Sequence, residues 1–134
     1  MDQETAIIHF DGGAVPNPGK AAAAAIIQWQ GQTHTFSEFL GDRITNSVAE
    51  YNGLLLGLKE AKKLGIEQIK ICGDSRLVIN QVLGAWKVTV EHLKPLHFEA
   101  TVLLAEFTKS QLFWVPRSEN TAADAAATKC IKAN

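Results

Sequence analysis

Four carboxylates, Asp11 in HFDGG, Glu50 in VAEYN, Asp74 in ICGDS and Asp124 in NTAAD, stand in segments that are otherwise mostly apolar or small. Each has an ordinary explanation by itself. Asp favours the turn at a strand end, which suits Asp11; Glu50 completes a capping box with Ser47; and an acid three residues after Thr121 complements a helix macrodipole. Brought to one place, however, four carboxylates repel one another and must either take up protons or share cations. Oxygen donors without a cluster of histidines or cysteines suit a hard ion, Mg²⁺ or Mn²⁺, better than Zn²⁺. Two such ions about 4 Å apart activate a water and stabilise the leaving oxygen in phosphodiester hydrolysis. The chemistry these residue types point to is that of a nuclease.

Whether the four meet depends on the elements that carry them. Residues 5–11 (TAIIHFD) are apolar on both faces, as in a central strand covered by helices on each side. Pro16-Asn17-Pro18-Gly19 reads as a turn, residues 20–29 and 33–40 as two further strands, and Gly31-Gln32 as the hairpin between them. From Thr45 to Leu64 the period becomes helical through Tyr51, Leu54, Leu55, Leu58, Ala61 and Leu64, and Gly65 stops it. A short strand follows at 68–73, then a helix at 75–83, a longer helix at 93–109, a strand at 111–116 and a last helix from about Thr121. This order predicts an α/β fold with a five-stranded mixed sheet: three antiparallel strands, then two that enter by crossover, so that the first, fourth and fifth run parallel. Asp11 and Asp74 then end parallel strands. Glu50 shares a helix face with Gly53, Leu54, Gly57, Ala61 and Leu64, and its helix starts at the same sheet edge, where sites of such sheets are built.

The 134 residues fit one compact domain with its own core, read here as 1–134. Hydrophobic residues make up 46 % and charged residues 20 %, the balance of a soluble globular chain. The apolar run Ala21–Ile27 is bounded by Lys20 and Gln28, too short for a membrane span, and MDQETA resembles no secretory signal, so a cytoplasmic protein with no membrane partner is expected. Cys72 and Cys130 belong to no paired motif and read as reduced, half-buried residues. A formal net charge of −1 argues against a protein that grips nucleic acid by bulk charge alone.

With these residues in view the chain resembles ribonuclease H, type 1, over nearly its whole length: HFDGGAVPNPG resembles the first-strand motif, RITNSVAEYNGLLLGL the first-helix motif, ICGDS the second Asp, and VPRSENTAADAAA the C-terminal Asp motif. The resemblance implies an endonuclease that hydrolyses the RNA strand of RNA/DNA hybrids with two Mg²⁺ ions (Mn²⁺ being the alternative), held by Asp11, Glu50, Asp74 and Asp124. It implies a monomer, and leaves double-stranded RNA open as a second partner. Gly12 and Gly13 would leave room for the substrate backbone. Asn17 and Asn46 fall where family members touch the minor groove, Arg43 with Thr45 where they hold a phosphate of the DNA strand, and Ser75 adjoins the second Asp. Trp86 would meet a deoxyribose. Against these stand a turn Asn, a helix cap at Thr45 or Asn46, an exposed Arg and a core Trp.

Two departures from the family pattern stand out. Only KVTVEH lies between Trp86 and Leu93, so the basic protrusion is missing, and affinity would have to come from Lys59, Lys62, Lys63, Arg76 and Lys87, unless the lysines are a solvated helix face. The loop PRSEN holds no histidine and carries Arg117 instead, either as a catalytic aid or as a phosphate ligand. His9, His34, His92 and His97 are not placed by sequence to replace the missing one. The same fold also carries integrase and resolvase nucleases acting on DNA, and an inactive hybrid- or RNA-binding module is the reading from outside enzymology.

Overall fold

The computed structural model describes residues 4–134; residues 1–3, part of the stretch read above for a targeting signal, lie outside them. Nine main elements follow in chain order: β1 (Thr5–Val15), β2 (Gly19–Trp29), β3 (Gln32–Ile44), α1 (Asn46–Lys63), β4 (Gln68–Gly73), α2 (Arg76–Val82), α3 (Lys94–Leu104), β5 (Lys109–Trp114) and α4 (Thr121–Lys132). The strands form one sheet in the order β3-β2-β1-β4-β5. β1 pairs antiparallel with β2 and β2 with β3, whereas β1, β4 and β5 run parallel. This is the expected topology.

Alternation along β1 assigns the faces. Ala6, Ile8, Phe10, Gly12 and Ala14 are buried, and Gly57 of α1 lies against Ile8 and Ala25, so α1 covers this face. His9 and Ile26 share a cavity with Ala122 and Ala123, which places α4 on the other face. That second cover is partial, because Ile7 is 38 % exposed. The alanine run of β2 is buried throughout, since small side chains let elements on both faces come close. The main core joins Ile8, Phe10, Tyr51, Leu54, Leu58 and Ile71 beneath α1.

Several boundaries differ from expectation: β3 runs to Ile44 rather than residue 40, β5 spans Lys109–Trp114 rather than 111–116, and two further differences have tertiary reasons. β1 runs on to Val15 because its pairing with β2 continues after that with β4 has ended. The long helix stops at Leu104 rather than Lys109: the amides of Thr108 and Lys109 donate to the Glu67 carbonyl, and Lys109 begins β5 opposite Gln68. Among the described residues no helix is long and apolar enough to cross a membrane. Both cysteines are reduced and half-buried.

Candidate active site

The parallel rungs between β1 and β4 end at Phe10 and Gly73, so Asp11 and Asp74 are the residues that follow the last rung on each strand. On its other side β1 stays paired with β2 as far as Val15 and Lys20. The strand carrying Asp11 is therefore held from one side while it opens toward β4 on the other. α1 is brought down onto this point by two glycines. A side chain on Gly53 would strike the Asp11 carbonyl, and one on Gly12 would strike the Ala49 carbonyl. With the two backbones in contact, Glu50 is laid against Asp11.

Helix α1 starts from a Thr45 cap, whose hydroxyl accepts the Val48 amide at 3.3 Å. The capping-box reading of Glu50 is thereby set aside, and its carboxylate joins the other acids. Ligand oxygens of Asp11, Glu50 and Asp74 all lie within 4.8 Å of one another. Asp124, in the first turn of α4, lines the same cleft of about 280 Å³ with Asp11, Gly13, Asn46, Glu50 and Arg117.

Burial is the larger cause of the altered acidities here. It raises Asp11, with the Asp74 charge adding to it, to about 7. Glu50 is pushed up to about 10 by burial and then by the charge of Asp11, while the Gly12 amide bonds both carboxylates and opposes the rise. Asp74 is also raised by burial, against the pull of Arg117. Glu50 Oε1 is buried without a hydrogen-bond partner. Three converging carboxylates, one with an orphaned oxygen, form a donor set that fits a hard divalent cation.

Similarity to known proteins agrees with this geometry. The family described as "Reverse transcriptase-like" matches residues 9–130. The crystal structure of RNase H1 from the halophilic archaeon Halobacterium salinarum is 32 % identical and superposes with a TM-score of 0.93, covering 97 % of this chain and 99 % of that one. The chain belongs to the ribonuclease H family. LC11-RNase H1, solved in complex with an RNA/DNA hybrid, is 30 % identical with a TM-score of 0.87, covering 95 % of this chain and 96 % of its own. "Bifunctional protein Rv2228c" of Mycobacterium tuberculosis is 39 % identical over 95 % of this chain, which spans only 35 % of that relative's length.

Three further side chains lie around the carboxylates. Arg117, in a 3₁₀ turn after β5, brings Nε to 4.0 Å from Asp74 Oδ2 with its side chain 83 % exposed. Asn120 escaped the sequence reading because Asn before Thr121 looks like a helix cap. Its side chain makes no cap bond; it is buried, donates from Nδ2 to the Phe10 carbonyl at 2.9 Å, and favours the charged form of Asp74. Trp114, also missed, donates from Nε1 to the Asp74 carbonyl at 3.2 Å. No histidine lines the cleft among the described residues; His97 bonds the Gln81 carbonyl and His34 stacks on Phe36.

Two of the residues expected to contact substrate, Asn17 and Asn46, are linked. Asn17 Oδ1 accepts the Asn46 amide at 3.0 Å, and Asn46 Oδ1 accepts the Ala14 amide at 2.8 Å. With their oxygens engaged, both asparagines have their amide NH₂ groups left to donate. Arg43 sits at a φ of +61°, at the end of β3 just before the Thr45 cap. Ser75 caps α2 by accepting the Val78 amide, and Trp86 is 47 % exposed rather than in the core. Gly13 has open space before it, whereas the space at Gly12 belongs to α1; the room expected there for substrate is taken by a helix. The lysines of α1 are not a free basic face, since Lys59, Lys62 and Lys63 pair with Glu99, Glu106 and Glu60.

Proposed function

We propose that this chain is an endonuclease that hydrolyses the RNA strand of RNA/DNA hybrids, with residues 1–134 acting as one ribonuclease H domain. The observation that carries this reading is the convergence of Asp11, Glu50 and Asp74 within 4.8 Å, in a member of this family. Two Mg²⁺ ions, with Mn²⁺ as substitute, are the cofactors that the oxygen-only donor set favours, held by Asp11, Glu50, Asp74 and Asp124. When bound, such ions supply activation of the attacking water and charge relief at the leaving oxygen. The chain's own residues fix the geometry. Asp11 is immobilised by its strand, Glu50 is pressed against it by α1, and Asn120 holds β1 at Phe10. The guanidinium of Arg117 is a fixed cation that donates hydrogen bonds, so its part is to stabilise negative charge.

At the rim, the NH₂ groups of Asn17 and Asn46 suit acceptors in the minor groove, and the 2′-hydroxyls displayed there distinguish RNA from DNA. Arg43 with Thr45 suits a phosphate of the DNA strand, Ser75 and the Gly13 backbone border the cut strand, and Trp86 offers a surface for a sugar. A monomer acting in the cytoplasm fits this role. The test is cleavage of labelled RNA/DNA hybrid, duplex DNA, double-stranded RNA and single-stranded RNA, with and without Mg²⁺. Cutting within the RNA of the hybrid is expected. Efficient cutting of duplex DNA would move the protein to the integrase or resolvase type, and binding without cleavage would make it an inactive module.

A further inference from the structure

Arg76 and Trp114 form a distinct feature at the β5 flank of the site. The guanidinium carbon of Arg76 lies 3.9 Å from the centroid of the Trp114 ring. Trp114 in turn donates from Nε1 to the main-chain carbonyl of Asp74, and Arg76 opens α2 two residues after that aspartate. The pair is thus tied to the backbone of a site residue, Asp74, by a hydrogen bond and by a two-residue length of chain. Both side chains reach solvent.

Charge pairing distinguishes Arg76 from several cations of this molecule. Lys59, Lys62, Lys63 and Lys94 each have a glutamate partner. Arg76 makes no ion pair among the described residues; its flat face rests on the indole instead. Stacking fixes the plane of a guanidinium while leaving its N–H edge free, and a planar, oriented N–H edge matches phosphate oxygens.

We propose that Arg76, seated on Trp114, binds a backbone phosphate of the cut strand, adjacent to the one placed over the carboxylates. This rests on the hybrid-nuclease reading above and supplies a contact that the missing basic protrusion does not. Its role differs from that of Arg117, which faces Asp74 itself.

The test is Mg²⁺-dependent cleavage of a labelled hybrid over a range of KCl concentrations, with KM and kcat separated. Arg76→Ala is expected to raise KM roughly three- to thirtyfold, as for loss of one exposed charged contact, to leave kcat nearly unchanged, and to make the salt dependence of kcat/KM shallower by about 0.9 in log–log slope, one phosphate's worth. Arg76→Lys keeps the slope and recovers KM only in part, because Lys lacks the stacked plane. Trp114→Leu removes both the seat and the bond to the Asp74 carbonyl, so it raises KM and lowers kcat, whereas Trp114→Phe keeps a ring for Arg76 and loses only that bond, so it lowers kcat more than it raises KM. Lys59→Ala, already ion-paired in the wild type, leaves KM and slope alone. If the wild type cleaves hybrid and Arg76→Ala retains both its KM and its salt slope, the pair is structural and the proposal is overturned. A wild type that cleaves no hybrid removes the hybrid-nuclease reading, and this site with it.

Discussion

Gly53 of α1 lies against the main-chain carbonyl of Asp11 on β1, so closely that no side chain fits between them. In an exposed helix, Gly→Ala stabilises by about 1 kcal/mol. Here Gly53→Ala is expected to destabilise by about 1–3 kcal/mol, the scale of overpacking in a close-packed interior. It also moves Glu50 away from Asp11, so turnover falls with stability. Urea denaturation beside a hybrid assay measures both; a more stable, fully active variant would contradict the contact.

Asp11→Asn or Asp74→Asn should abolish hybrid cleavage while hybrid binding largely persists, because these groups position cations more than they hold substrate. In metal-free buffer at neutral pH the same variants should melt higher, since they remove one partner in a repulsive cluster. Near-normal turnover by either variant in Mg²⁺ would remove both residues from the catalytic set.

Metal-free protein should lose stability as pH rises. Asp11 and Glu50 hold their protons more tightly folded than unfolded, with pKa values raised to about 7 and about 10. Their stabilising effect is complete below the unfolded value of about 4, declines for Asp11 up to about 7, and for Glu50 continues to decline toward about 10. Added Mg²⁺ favours the ionised forms and should flatten this slope. Melting temperatures from pH 5 to 9 (about four decades of proton activity), with and without Mg²⁺, check the sign.

Arg117→Ala should slow turnover roughly tenfold, the low end for loss of one charge-stabilising donor, because this side chain is largely solvated. The pH profile should keep its shape, since a guanidinium does not titrate in the working range. Arg117→Lys should rescue in part. Wild-type rates for Arg117→Ala across pH would leave it without a catalytic role.

Asn120→Ala should cost about 1–3 kcal/mol, because the buried Phe10 carbonyl loses its side-chain donor. A drop in kcat greater than the loss of folded protein explains would separate its influence on the carboxylate site from mere stability. Circular dichroism melts and turnover below the melting range distinguish the two.

Much of this architecture is legible from residue order. The change from period two to helical spacing at Thr45 and the Gly65 stop locate α1, and the order of elements forces Asp11 and Asp74 to one edge. Long-range partners are not legible. Nothing in the run through Lys109 shows that Glu67 will draw it out of a helix, and Asn120 looks like a cap because its true acceptor, Phe10, lies 110 residues away. The use of Gly12 was misread for a similar reason: its vacancy serves Ala49, a neighbour only in space.

The ion pairs that occupy Lys59, Lys62 and Lys63 also bear on how this protein meets its substrate. With a net charge of −1 and those lysines neutralised locally, the molecule projects little attractive field beyond a Debye length. Encounter with a polyanion is then set by diffusion and orientation, and association should run near the unsteered range of about 10⁵–10⁶ M⁻¹s⁻¹. Under the proposed function, hybrid is then captured slowly and discriminated by fit after contact, so long stretches of ordinary duplex nearby compete only weakly.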